Sequence, residues 1–313
     1  MNMIGRKVMA LALLCLSASS SVSSASAAGP LQTVKLADNI YALVGPLKQR
    51  SPENLGNNAT FGVIITSAGV ILVDPGGSAK GAAAIESAIA KLTDKPVKIV
   101  INSGGQDHRW FGNGYFKAKG ARIIASAAAV ADQKERADHQ SQFMEKLIGK
   151  SNFAGTELVH ADQQFDAAYE FTLGGVKLDL IHAGPAHTPG DAFVWLPKQK
   201  ILFAGDIVYL DRMLGVSSHS DSKSWLAVFA EIEKRHPAII VPGHGRPAPL
   251  RKAQAETRDY LIFLRRQVAA VLASGGTMIE ALKIDQSRFK DLAVYKLIAG
   301  RNAQAVFAEM EFD

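Results

Sequence analysis

An imidazole, a carboxylate and a second imidazole each stand where an apolar run meets a glycine-rich turn. His187 lies in Gly184-Pro185-Ala186-His187-Thr188-Pro189-Gly190-Asp191, just after the apolar Leu178, Leu180 and Ile181. Asp206 follows residues 201–204 through Gly205, and His244 follows residues 238–241 in Pro242-Gly243-His244-Gly245. Imidazoles and carboxylates ligate metals and move protons, and strand ends let an α/β scaffold hold them on rigid elements. A single Gly-Asp or Gly-His pair reads equally well as turn chemistry. Three of them at strand ends point to one site. A further polar cluster, Asp107-His108-Arg109, lies in the loop that leaves the apolar run 96–102.

The elements that would position these groups can be read in order. Residues 34–46 read as two short strands around Asp38-Asn39, and 61–65 with 69–73 as a hairpin. Ser78 is placed to cap a helix over 79–92, with Ala83, Ile85, Ile89 and Leu92 at helical spacing. Residues 127–147 form a long polar helix, read as a lid or flank over the cleft. A Gly174-Gly175 hairpin joins 169–173 to 176–181. Helices are expected at 222–233, 251–272, 277–282 and 291–310. Two groups of strands, each interleaved with helices, predict two sheets face to face with helices outside.

Residues 1–27 have the order of a secretory leader: Arg6-Lys7, an apolar run 8–16, then Ala25-Ser26-Ala27. Cleavage after Ala27 would leave residues 28–313 as a single domain, with 251–313 its C-terminal helical part, in the periplasm or secreted. No later apolar run is long enough to span a bilayer, so no membrane contact is expected after cleavage. Cys15 is the only cysteine and lies in this leader, which excludes disulfides, a thiolate nucleophile and cysteine ligands from the remainder. The formal charge of +6 falls to about +4 without Arg6 and Lys7. With no Lys/Arg block, nucleic acid is not an expected partner; a small-molecule substrate is.

Strand-end Asp74, the loop after Pro-Val-Lys-Ile-Val-Ile-Asn, then GPAHTPGD, LFAGD and VPGHG, in that order, resemble the metallo-β-lactamase fold superfamily over nearly the whole chain from Val34. The resemblance implies a four-layer αββα sandwich, with extra C-terminal helices and a metal site at the loop edge between the sheets. One motif departs. Where the family has Thr-His-x-His-x-Asp-His before Gly-Asn, this chain has Ser103-Gly104-Gly105-Gln106-Asp107-His108-Arg109 before Trp110-Phe111-Gly112-Asn113. Read without gaps, Gly104 and Gln106 replace the leading His pair, His108 falls on the Asp and Arg109 on the third His. With one residue inserted, Asp107-His108 matches Asp-His instead. In both readings the leading His pair is gone.

By the resemblance, His108, His187, Asp206 and His244 are the expected metal ligands. They suffice for one divalent transition ion, Zn²⁺ first and iron as the alternative, but not for two. Arg109 has no lone pair for a metal. It is expected to stand in for a second ion, or to clamp a carboxylate or oxyanion; a salt bridge to Asp74 is its structural alternative. Asp107 reads as a ligand, as the base that activates water, or as a loop cap. His182 reads as a supporting residue, Trp110 and Phe111 as core or cleft wall, and His139, His160, His219 and His236 as surface. The implied activity is a metallo-hydrolase in which metal-activated water attacks an ester, lactone, lactam or thioester. A non-catalytic small-molecule binder and a mononuclear iron oxidoreductase are the alternatives.

Overall fold

The computed structural model describes Met1 and residues 31–311. The predicted leader therefore lies, Met1 apart, outside the described residues. β1 (Gln32–Ala37), β2 (Ile40–Val44), β3 (Thr60–Thr66), β4 (Gly69–Val73), β5 (Val97–Ile101), β6 (Arg122–Ser126) and β7 (Gln163–Phe165) form a seven-stranded sheet in chain order. Hairpins make β1 to β4 antiparallel, and crossovers make β4 to β7 parallel. The second sheet contains β8 (Ala168–Leu173), β9 (Val176–Ile181), β10 (Phe193–Leu196), β11 (Ile201–Phe203) and β12 (Ile239–Val241), in the order β12-β11-β10-β9-β8.

The two sheets pack face to face. Ile64, Ile71 and Ile101 of the first share one core with Leu180, Val194 and Phe203 of the second. The outer face of the first sheet is covered by the Ala79–Ile89 helix, whose Ile85 and Ile89 pack on Val63 and Leu72. The outer face of the second is covered by Ser222–Glu233, Asp259–Ala273 and Tyr295–Met310. This is the expected αββα sandwich with added C-terminal helices. Covered on both faces, β3 and β4 are buried at every position, as runs such as Val-Ile-Ile and Val-Ile-Leu-Val require. Edge strand β8 instead alternates exposed and half-buried residues.

Among the features the structure adds to the predicted elements, two stand out. Three-residue β7 carries no periodic signal. The predicted 251–272 helix is broken into Leu250–Ala253, a π-helical turn Gln254–Arg258, and Asp259–Ala273. That turn has a use: Thr257 Oγ1 accepts from Tyr209 N and donates to Tyr209 O, while Glu256 accepts from Asp211 N. It thus pins the 209–211 loop beside the site, a common role for such bulges.

Candidate metal centre

The loop after β5 is closed by a reciprocal pair: Asn102 Nδ2 donates to Asn113 Oδ1 and Asn113 Nδ2 to Asn102 Oδ1, both at 2.8 Å. Within it, Asp107–Arg109 form one 3₁₀ turn, which fans three successive side chains in different directions. Asp107 turns to Arg50, His108 to Asp206, and Arg109 into the interior. His108 rather than Asp107 faces Asp206. Asp206 is presented by Gly205, whose φ of 53° suits glycine and lets the chain turn off β11 against Ser103. Gly243 leaves room for Arg109: a Cβ there would lie 2.5 Å from its Nη2.

Arg109 is fully buried and joins two carboxylates. Its Nε and Nη2 donate to the two oxygens of Asp206 at 3.1 and 2.7 Å, and Nη1 donates to Asp74 Oδ2 at 2.8 Å. Asp74 also accepts from Ser103 N and Oγ. The salt bridge to Asp74 therefore forms, and Arg109 clamps a carboxylate of the protein from behind rather than lining the cleft. Burial alone would raise Asp206; Arg109 and His108 outweigh it and hold that carboxyl well below the usual range.

The other side of Asp206 meets two imidazoles. His108 Nε2 lies 3.2 Å from Oδ2 and His244 Nε2 lies 3.2 Å from Oδ1. His244 Nδ1–H donates to the Asn58 carbonyl at 2.8 Å, so its Nε2 carries a lone pair. His187 Nδ1–H likewise donates to Gly215 O at 2.9 Å. His108 Nδ1 lies 2.9 Å from Asp107 Oδ1, which also accepts from Arg50 Nε and Nη2, and 2.7 Å from Arg50 Nη2, which can only donate, so its contacts fit either tautomer. Tying Nδ1 to an acceptor, as in His187 and His244, is how a protein aims Nε2 at a metal.

The His244 Nε2 lone pair facing Asp206 Oδ1 is repelled unless a cation lies between them. His108 Nε2 is buried without a hydrogen-bond partner. Ligand atoms of His108, Asp206 and His244 all lie within 4.8 Å of one another, and all three residues are buried. Two imidazoles and a carboxylate fit one Zn²⁺ or Fe²⁺ with positions left open. Arg109 takes one lone pair from each Asp206 oxygen and leaves the others for such an ion. His187 lies outside this cluster, though it lines the same cavity. Tyr209 stands between: its ring stacks on His244 at 4.8 Å and meets His187 edge-on at 5.7 Å. Burial pushes His187 down to about 4 and His244 well below its ordinary value, so both are neutral at pH 7.

One position of the missing His pair in each reading, Gly104 or Gly105, has no room for a side chain. A Cβ on Gly104 would lie 2.4 Å from Asp191 Oδ1, and one on Gly105 would lie 1.8 Å from Asp132 Oδ2. Asp132 is forked by Arg136, and Gln133 and Gln140 donate to the Gly104 and Gly105 carbonyls. Restoring the motif with Gly104→His and Gln106→His is therefore expected to destabilise by about 1–3 kcal/mol through overpacking. The double variant should gain no metal equivalent, as urea denaturation and elemental analysis would check.

Asp191 gives a pH prediction. Burial first, and the Asp206 charge second, push it up to about 8, although Thr188 N and Oγ1 donate to it. The folded protein then holds a proton that the unfolded chain releases near pH 4, so this group opposes folding increasingly as pH rises from about 4 to about 8. Asp191→Asn should flatten that decline, read from urea midpoints at pH 5, 7 and 9.

Several contributors carry no sequence signal. Arg50, Tyr209 and Arg212 line the cavity, and the exposed His139 and His219 stand at its rim. His160 stacks on Trp110 at 5.1 Å, and Trp110 and Phe111 are core. His182 Nδ1–H donates to the Asp191 carbonyl, the supporting role expected.

The family model described as Metallo-beta-lactamase superfamily matches residues 56–244. A metallo-beta-lactamase type 2 from Elizabethkingia meningoseptica is 24% identical over 67% of this chain and 77% of its own. A linear primary-alkylsulfatase from Pseudomonas sp. is 19% identical over 69% of this chain; the matched region spans 48% of the relative. Among solved structures, a sec-alkylsulfatase from Pseudomonas sp. superposes with TM-score 0.71 at 18% identity, over 90% of this chain and 50% of that one. A metallo-beta-lactamase from Pontibacter korlensis superposes with TM-score 0.60 at 20% identity, over 74% and 98%. With fold, site position and family model in agreement, the chain belongs to the metallo-beta-lactamase superfamily.

Proposed function

We propose that the protein is an exported metal-dependent hydrolase with a single divalent ion held by His108, Asp206 and His244. His187, on the same cavity wall with its Nε2 free, is the fourth donor available. The observation that carries this reading is the approach of two buried Nε2 atoms to one buried carboxylate, 3.2 Å each. When bound, such an ion supplies Lewis acidity and acidifies water toward neutrality, the chemistry of attack on an ester, lactone, lactam or thioester. The chain's own part is to hold Asp206 ionised through Arg109, fix the His187 and His244 tautomers, and line the cavity with Tyr209. Burial keeps the Tyr209 hydroxyl protonated as a donor. The alkylsulfatase relatives add sulfate esters to the bonds worth assaying.

Elemental analysis of purified protein beside an ester, lactone, lactam, thioester and sulfate-ester panel tests the proposal. One metal equivalent with chelator-sensitive hydrolysis supports it; two equivalents, or none with no hydrolysis, overturn it. Two imidazoles with one carboxylate also suit open-site iron, so iron as isolated together with oxygen consumption would favour an oxidoreductase. Export is checked by N-terminal sequencing of periplasmic protein, with Ala28 expected as the first residue.

Asp107 is paired with Arg50, and burial notwithstanding, that cation and His108 hold it well below the usual carboxylate range. It is assigned the orienting of His108 rather than the removal of a proton from water. Asp107→Asn should lower metal affinity about 10–100-fold, measured against a competing chelator, and spare most of the rate at saturating metal.

A further inference from the structure

The cavity over the His108–Asp206–His244 cluster measures about 370 Å³ and is lined by three arginines, Arg50, Arg136 and Arg212. Two are neutralised: Arg50 by Asp107 and Arg136 by Asp132. Arg212, only 5% exposed, has no carboxylate within ion-pair distance among the described residues. Its Nη1 is used on the Leu47 and Lys48 carbonyls. The remaining Nε–Nη2 edge meets only the neutral Gln49 Oε1, 3.4 Å from Nη2, and Nε has no partner at all.

The same edge of Arg109 grips Asp206, and the same edge of Arg50 grips Asp107. That fork matches the two oxygens of a carboxylate or sulfate, and burying a guanidinium without a counter-ion is costly unless one is supplied. The residue is held in place as well. Thr257 and Glu256 pin the backbone of Tyr209 and Asp211, and Met213 N donates to Ala293 O. A charge fixed before binding costs little ordering when its ligand arrives.

We propose that Arg212 is the anion-recognition residue of this cavity, its Nε–Nη2 edge taking a carboxylate or sulfate oxyanion of the ligand in place of Gln49. The substrate is then an organic anion rather than a neutral ester, a statement that rests on the hydrolase reading only for calling the ligand a substrate.

The experiment measures binding of inorganic sulfate and of butanoate, with 1-butanol as the neutral match, at constant ionic strength. It uses the protein as isolated and after chelator treatment, by calorimetry. Saturable binding of at least one anion and none of butanol is expected, with Arg212→Met weakening it tenfold or more. Arg212→Lys, which keeps the charge but loses the fork, should weaken it several-fold. Gln49→Glu places a carboxylate on the fork without disturbing Arg212 and should abolish anion binding, which keeps the test open should Arg212→Met not fold. No saturable anion binding by the wild type, or equal affinity in Gln49→Glu and Arg212→Lys, overturns the proposal. Binding that follows Arg212 in protein that holds no metal and hydrolyses nothing would sink the hydrolase reading and leave this one standing.

Discussion

Replacing Arg109 with methionine is expected to remove about 3–5 kcal/mol of folding stability, the cost of leaving buried charges without their partner. The variant strips Asp206 of two donors and Asp74 of one in a region excluded from water. Methionine can fill the volume but offers no donor, so two carboxylates about a guanidinium's width apart would face each other. One of them must take up a proton or draw water in. Typical domains have about 5–15 kcal/mol in all, so the loss should appear as a large fall in the urea midpoint, or as insoluble protein. Arg109→Lys keeps one charge but cannot fork, and should fall between. Destabilisation under about 1 kcal/mol in the methionine variant would mean that the two carboxylates are not ionised against Arg109, and the assignment of Asp206 as a clamped ligand would fail with it. Metal added in excess offers a second readout: an ion that replaces the missing cation should recover part of the loss.

The fold and two of the three residues of the centre, Asp206 and His244, were legible for a local reason. Gly205-Asp206 and Gly243-His244 put side chain and turn in adjacent positions, so a strand end reports its own polar group. The hairpins and the Ser78 cap are local in the same way, with Ser78 Oγ accepting from Gly81 N. The altered loop was legible only as a departure. That Arg109 points inward depends on Asp206, 97 residues on, and on Asp74, 35 residues back. Arg50 meets Asp107 across 57 positions with no motif around it. Arg212 is set by a π-helical turn that the 3.6-residue periodicity of 251–272 concealed, and that register slip is what brings Thr257 and Glu256 to bear on the loop. His187 was grouped with the other ligands because GPAHTPGD marks it so; Tyr209, at no fixed spacing from any of them, occupies the ground between its ring and His244.

His244→Ala should empty the centre, and His187→Ala should not. His244 contributes one of three ligand atoms in the cluster, its ring held by the Asn58 carbonyl and the Tyr209 face. Loss of a residue that merely orients a ligand already lowers metal affinity 10–100-fold, so loss of a ligand itself should exceed 100-fold, about 2.7 kcal/mol of binding. At micromolar protein, metal content should fall from about one equivalent to a small fraction, and hydrolysis with it. His187, outside the cluster, should leave metal affinity within about tenfold when truncated, so that any loss of rate falls on a loaded enzyme. Competition with a chelator measures the first and elemental analysis with the ester panel the second. If His187→Ala sheds its metal as readily as His244→Ala, the ion draws His187 in past Tyr209 on binding, and the centre has four protein ligands. Retention of metal by both variants would instead break the argument at its root, because the His244 lone pair facing Asp206 would then need some cation other than a metal, such as a shared proton, between them.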